Sequence, residues 1–417
     1  MKSFQPITSL IVEIDFGEGR RKVGRLAWRD RVGYFQYDPD YLVAGPEISP
    51  IRLKKSDALY EGTVVFGRLH GVFNDSLPDG WGRLLMDRKL AQVGVTPSTL
   101  SPLDRLAWIG DRGMGALVYR PEHPALVTVE NGIIDLDVLA EQSRRVIKDS
   151  PTAVLDDLLR IGGSPQGARP KALVAVSADK KSLIHGDVAC PAGYDLWLVK
   201  FRSGEDSIDA GAIEMAYSEM ARLVGIDMPE TALFPAKRGP GYFGVRRFDQ
   251  GERRHHMHTL SGLLEADHTM PSVGYVALLN AARLLTRHQA AVDALFVRMV
   301  FNIVVGNRDA HAKNHAFLMS ADGTWTLSPA YDLTWSDGPG GEHALDVAGV
   351  GRSPGRKDAL AVAAQTGVDV RWAAKVIDEV CSTAVTAWKG LAKNQGVSVR
   401  ISSEIGAALS INARLMK

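Results

Sequence analysis

Asp309 and Asn314 lie in the stretch Gly306-Asn307-Arg308-Asp309-Ala310-His311-Ala312-Lys313-Asn314, with four residues between them. That is the spacing between the aspartate base and the metal-binding asparagine of a protein-kinase catalytic loop. Phosphoryl transfer asks for few protein groups: a base to orient the hydroxyl, ligands for magnesium, and cations on the phosphates. A lone Asp-to-Asn pair at this spacing is common, because both residues favour loops and caps. Here Pro329-Ala330-Tyr331-Asp332 follows with a second acidic position, after strand-like runs at 315–319 and 324–327. A kinase large lobe places such a strand pair between its catalytic asparagine and its metal-binding aspartate. His311 and Lys313 fall inside the loop, where a cation would face the transferring phosphate.

The elements needed to position these groups can be read around them. An apolar helical run over 294–305 would hold the loop on a rigid support. Upstream, Asp195-Leu196-Trp197-Leu198-Val199-Lys200-Phe201 reads as a strand with a lysine at its end. A lysine there is commonly just a snorkelling edge residue. Glu214 opens the next helix, 214–224, which Gly225 closes, and it offers Lys200 the partner of a phosphate-positioning Lys–Glu pair. Before that strand, Gly162-Gly163-Ser164-Pro165-Gln166-Gly167-Ala168-Arg169-Pro170-Lys171 forms a flexible basic loop. Its backbone N–H groups, Arg169 and Lys171 suit phosphates, although no Gly-Lys-Ser/Thr follows and it is not a Walker A motif. Strands at 172–176, 231–235 and 242–248 complete the element order of a kinase small lobe. From 259 onward the chain reads as mostly helical, with main segments at 278–287, 290–305, 370–388 and 403–415.

The first part of the chain alternates short strands at 9–14, 24–28 and 34–37 with turns. A loop at 71–82 leads into a helix at 83–93, a second helix starts near Ser101, and a glycine-rich turn at 110–115 feeds the strand 116–119. Residues 121–124 read as a boundary, followed by helices over 135–148 and 151–161. Two motif matches carry no function. Asp15-Phe16-Gly17 spells the kinase metal-binding tripeptide, but it precedes the catalytic loop, whereas in kinases it follows. Gly239-Pro240-Gly241-Tyr242-Phe243-Gly244 fits G-x-G-x-x-G, yet it runs on into a strand and reads as a hairpin turn. His255, His256 and His258, flanked by Arg253 and Arg254, read as a solvated polar cluster.

Composition bounds these readings. The 417 residues are 45% apolar with a net charge of +1, which argues against a whole-molecule affinity for nucleic acid. Two cysteines, Cys190 and Cys381, fit a reducing compartment with no disulfide framework. The start of the chain lacks an apolar signal core and no apolar run reaches membrane-spanning length, so a cytoplasmic location and no membrane partner are expected.

Across nearly its whole length the sequence resembles the HipA family of bacterial toxin kinases, the kinase half of a two-component toxin–antitoxin pair. The residues carrying the resemblance are the Gly306–Asn314 block, Leu327-Ser328-Pro329-Ala330-Tyr331-Asp332-Leu333, Arg247-Phe248-Asp249, and Phe73-Asn74-Asp75-Ser76-Leu77-Pro78-Asp79-Gly80. The resemblance implies Asp309 as catalytic base, with Asn314 and Asp332 holding Mg2+. It places His311, Lys313 and Tyr331 by the nucleotide and Lys200 on the α/β phosphates of ATP. Arg246, Arg247 and Phe248 would form the interlobe hinge, reading adenine through backbone groups. Gln166, Gly167, Ala168, Arg169, Pro170 and Lys171 would cover the phosphates, with Lys171 on the family's loop lysine. Ser164 falls on the position of a self-phosphorylated serine whose phosphate, roughly −1.5 to −2 of charge, ejects the loop and switches the kinase off.

The expected architecture is α+β: a protein-kinase-like two-lobe fold with an extra N-terminal β/α subdomain and a mostly helical C-terminal lobe. Residues 1–122 would form the N-terminal subdomain, 123–248 the small-lobe-like region, and 249–417 the large lobe. The expected function is an ATP- and magnesium-dependent serine/threonine protein kinase acting as a toxin. By the resemblance, its substrate is a translation protein such as an aminoacyl-tRNA synthetase. Its partner is a helix-turn-helix antitoxin, and the complex sits on operator DNA. The rivals are a small-molecule kinase on the same scaffold and an inactive member that serves only as an antitoxin- and DNA-binding co-repressor.

Overall fold

The computed structural model describes residues 5–92, 94–122, 133–148, 158, 167–186, 190–204, 206–251 and 253–417. The helix expected over 151–161 lies, apart from Leu158, outside the described residues, and so does Pro124 of the expected boundary.

Among the described residues, three antiparallel sheets organise the α+β chain. The first has the order β4-β3-β2-β1-β5, from β1 (Ser9–Asp15), β2 (Arg20–Arg29), β3 (Val32–Tyr37), β4 (Tyr60–Glu61) and β5 (Leu117–Arg120). Strict alternation drives it: in β1, Leu10, Val12 and Ile14 are buried while their neighbours are partly open. Asp15-Phe16-Gly17 sits at the β1–β2 turn, where Gly17 and Gly19 take φ of 95° and 113°. The tripeptide is therefore turn chemistry, as its position in the sequence implied.

The second sheet has the order β7-β6-β8-β10-β9, from β6 (Lys171–Ser177), β7 (Leu183–His185), β8 (Tyr194–Lys200), β9 (Thr231–Phe234) and β10 (Tyr242–Arg246). The glycine-rich stretch 239–244 forms the link into β10, which pairs antiparallel to β9. The helix Ala210–Leu223 packs against β9 and β10 and carries Glu214 inward. Trp81, Leu85 and Met86 of the helix Gly80–Gln92 share one buried cluster with Ala172, Val174 and Trp197 of this sheet. The N-terminal part of the chain thus braces the sheet.

The third sheet pairs β11 (His256–Thr259), β12 (Ala316–Met319) and β13 (Trp325–Leu327). The helix Tyr275–Thr286 packs on β13, and the helices Gln289–Val305, Arg356–Gln365, Val370–Asn394 and Val399–Leu415 pack with it and with one another. Gln289–Val305 is buried from Met299 through Val305, the all-round apolar pattern of a helix at the centre of a core. Among the described residues, no helix is long and apolar enough to cross a membrane.

One expectation is overturned. His256 and His258 are not solvated: they are 1% and 0% exposed, at alternate β11 positions. His256 bonds Ile48 O at 2.8 Å, and His258 bridges Asp75 Oδ2 at 2.6 Å and Ser49 Oγ at 2.9 Å. The flanking arginines suggested a polar loop, but period-two alternation and distant partners decide burial here.

Candidate active site

Gly306 ends the central helix in the left-handed conformation, at φ 71°. A Cβ there would lie 2.5 Å from the Trp335 ring, so the turn that launches the loop requires glycine. Asn307 then fastens the loop twice, donating from Nδ2 to Asn302 Oδ1 at 3.0 Å and to the Asp332 carbonyl at 3.3 Å. Asp309 projects to the surface of a cavity. Its carbonyl accepts from the His311 N–H at 2.8 Å and from Asn314 Nδ2 at 3.0 Å, which fixes the amide of Asn314 with its oxygen turned away. Tyr331 closes the other side, donating its hydroxyl to Lys313 O at 2.7 Å. Asp332 follows in a left-handed conformation, φ 54°, uncommon for a residue with a Cβ but one that Asp tolerates.

Lys200 is the electrostatic centre. Its ammonium bonds both Glu214 and Asp332. Burial opposes its charge, but the two carboxylates hold its pKa above the ordinary lysine value. Burial likewise works against the Asp332 carboxylate, and Lys200 with Lys171 overrides it, keeping that group ionised well below the usual range. Burial raises Glu214, and Lys200 pulls it part-way back. Lys171 stands directly across from Lys200 in the β6–β8 pairing. Burial brings its pKa down to about 8, with Asp332 opposing that shift. Two lysines at opposed positions repel one another, so the arrangement is stable only beside anions. Asp309 is pushed up, by burial first and by Asp332, with His311 opposing.

A cavity of about 270 Å³ gathers most of the expected residues. Gly167, Ala168, Arg169 and Lys171 form one wall, and Lys200 with Arg246, Arg247 and Phe248 forms another. Asp309, His311, Lys313, Asn314, Tyr331 and Asp332 form the third. Pro170 is buried off the wall, where its carbonyl accepts from the Phe201 N–H at 2.8 Å. Ser164 and Gln166 lie outside the described residues. In the segment expected to form the hinge, the N–H groups of Arg246 and Arg247 already donate to Glu230 O and Leu196 O, at 2.9 and 2.8 Å. Of the backbone groups expected to read adenine there, the Arg246 and Arg247 N–H groups are thus already used, leaving carbonyl oxygens and Phe248. The Arg247 side chain pairs with buried Asp249 at 2.6 Å and contacts Gly113 O, tying the hinge to the N-terminal part.

Several residues lining the cavity went unassigned in the sequence. Asp79, in the N-terminal part, meets Lys313 at 2.6 Å. Next to it, Trp81 donates from its N–H to Gly167 O at 3.3 Å and from Nε1 to Lys171 O at 3.0 Å. The only signal for this was the block Leu77-Pro78-Asp79-Gly80-Trp81 itself.

The donor set fits a magnesium nucleotide. No group of three or more metal-binding side chains occurs among the described residues. Magnesium is ordinarily held by one or two protein oxygens plus phosphates, which is what Asp332 and Asn314 can offer.

The model of the HipA-like C-terminal domain matches residues 163–388, more than half of the chain, and the HipA N-terminal domain matches residues 18–120. The chain belongs to the HipA family. In fold it is similar to a chain of the Shewanella oneidensis MR-1 toxin–antitoxin complex of HipA, HipB and operator DNA. The TM-score is 0.71 and the identity 17%, over 97% of each chain. The protein Y4dM of Sinorhizobium fredii, provisionally named a kinase, is 27% identical over 278 residues. That match spans 63% of this HipA-family chain and 61% of Y4dM.

Proposed function

We propose that this HipA-family protein is an ATP- and magnesium-dependent serine/threonine protein kinase that acts in the cytoplasm as the toxin of a type II toxin–antitoxin pair. The observation that carries the reading is the Lys171–Lys200 opposition across β6 and β8, with Asp332 and Glu214 as its anions. Such a cluster of cations, lining the cavity, suits a polyphosphate. Bound magnesium nucleotide would supply the phosphoryl group and neutralise its developing charge.

The chain's own residues do the rest. Lys200, fixed by Glu214, orients the α/β phosphates, and Asp332 and Asn314 present the metal ligands. Asp309 receives the hydroxyl proton, and its raised pKa suits a base that must take a proton and release it. His311 and Lys313 lie on the same wall as Asp309, and the Lys313 ammonium places positive charge where the phosphoryl group travels. Autophosphorylation at Ser164 would switch the enzyme off.

Family membership supports a translation protein, such as an aminoacyl-tRNA synthetase, as the target. It also supports a DNA-binding helix-turn-helix antitoxin as the partner, with operator DNA reached through it. The Shewanella complex, which holds HipA, HipB and operator DNA together, is the basis for that extension. The test is incubation with γ-labelled ATP, magnesium and cell lysate. Labelled protein bands that yield phosphoserine or phosphothreonine are expected. Label confined to small molecules would overturn the protein-kinase reading.

A further inference from the structure

Asp309 stands where two depressions meet. Beyond the Asp79–Lys313 pair the nucleotide-side cavity gives way to a larger cleft of about 870 Å³, and the two share Asp79, Gly167, Ala168, Asp309, His311 and Lys313. The cleft has walls from two distant parts of the chain. The N-terminal part contributes Val65, Phe66 and Arg83, and the large lobe contributes His268, Met270 and Glu342. If the phosphoryl group arrives from the cavity side, the hydroxyl that receives it must come from the cleft.

Part of the rim of that cleft is apolar where it meets solvent. Val65 is 46% exposed and Met270 66% exposed, and Val64, beside Val65, is 73% exposed. Bare apolar groups gathered at a cleft mouth mark an interaction surface. The turn that carries them, Val64–Phe66, is well defined: Gly67 closes it at φ 60° and donates to Val64 O, and Arg68 donates to Thr63 O at 2.9 Å. Arg83 adds a cation whose side chain is 64% exposed, with Asp87 no closer than 3.8 Å. A small polar metabolite would fill the junction and leave this rim without a role. An extended polypeptide would use it, because neighbours of the acceptor residue project about 3.3 Å further along per residue.

We propose that this cleft is the acceptor site and that its occupant is an extended polypeptide segment. Around the phosphorylated hydroxyl, that segment carries an apolar residue for the Val65 and Met270 rim and an acidic residue for Arg83. The N-terminal part of the chain then determines which proteins are phosphorylated. The inference rests on the kinase reading above and deepens it.

The experiment uses the full chain, γ-labelled ATP with magnesium, and an oriented serine-centred peptide library. The parent is compared with Val65→Glu, Met270→Glu, Arg83→Glu and a control, Val43→Glu, whose residue is 85% exposed and outside the cleft. The parent selects an apolar residue and an acidic residue at fixed positions beside the serine. Val65→Glu and Met270→Glu lose the apolar selection, with kcat/KM roughly tenfold lower on the preferred peptide. Arg83→Glu exchanges the acidic preference for a basic one, a gain that misfolding cannot imitate, while Val43→Glu follows the parent. Rim variants that keep the parent's selection overturn the proposal, and so does a parent with no positional selection. Label on folded lysate proteins but on no peptide overturns the extended-segment occupant. If the parent labels neither peptides nor proteins, the kinase reading itself falls, which is a distinct outcome.

Discussion

Asp79 and Lys313 are 234 residues apart in the chain and 2.6 Å apart in space. The lysine side chain is 4% exposed and its partner 20%. A residue of the Gly306–Asn314 loop is therefore held by a carboxylate from the N-terminal part. The loop's geometry depends on how that part docks.

Asp79→Asn should leave the Lys313 ammonium buried without its counter-charge. Unfolding in urea should show a loss on the order of 2 kcal/mol. The phosphoryl-transfer rate should fall by about tenfold, as a displaced loop cation would cause. Asp79→Glu should recover part of both. Unchanged stability and rate in Asp79→Asn would show that the pair holds nothing in place.

Lys200→Met removes the ammonium shared by Glu214 and Asp332 and leaves two carboxylates facing each other. Phosphoryl transfer should fall by roughly a hundredfold or more, the scale of losing a preorganised charge at a transition state. Steady-state assays at saturating magnesium and ATP measure it. Near-parent activity would remove Lys200 from the nucleotide site.

Lys171 gives a pH signature. Burial lowers its pKa to about 8 from 10.5. Because the folded value lies below the unfolded one, the protonated lysine costs stability. That cost is fully present below about pH 8 and is relieved as pH rises towards 10.5. Nucleotide binding runs the other way, since phosphates favour the ammonium. Affinity should weaken as pH rises through about 8, and above it binding should take up a proton. Calorimetry in buffers of different ionisation enthalpy reads that uptake, and Lys171→Met should abolish it.

The sequence made the chemical loop legible because its residues are close neighbours. Asp309, Asn314 and Asp332 were candidates from their spacing, Lys200 from its strand end and Glu214 from its helix, and the structure brings them together around one cavity. The strands were legible where alternation was clean, as in β1. Asp79 was not assigned, because nothing local says that a loop in the N-terminal part reaches Lys313. Arg247 read as a hinge residue, yet its side chain serves Asp249 and Gly113. The burial of His256 and His258 depends on Ile48, Asp75 and Ser49, partners that no local pattern could supply.

Asp75 organises that last group. It accepts from His258 Nδ1 at 2.6 Å, Thr259 N at 2.8 Å and Thr259 Oγ1 at 2.7 Å. Asp75→Ala should destabilise the fold by about 3 kcal/mol, the scale for orphaning a buried polar network. Denaturant titration measures the loss. A midpoint equal to the parent's would show the network to be replaceable.

The most direct test of the account is Asp309→Asn, which keeps the shape of the catalytic loop and removes the base. Nucleotide binding by calorimetry and transfer of labelled phosphate to protein serine or threonine are measured on the same preparation. The account predicts that magnesium–ATP binds within a few-fold of the parent while transfer falls by roughly a hundredfold or more. Transfer equal to the parent's, with binding intact, would contradict it.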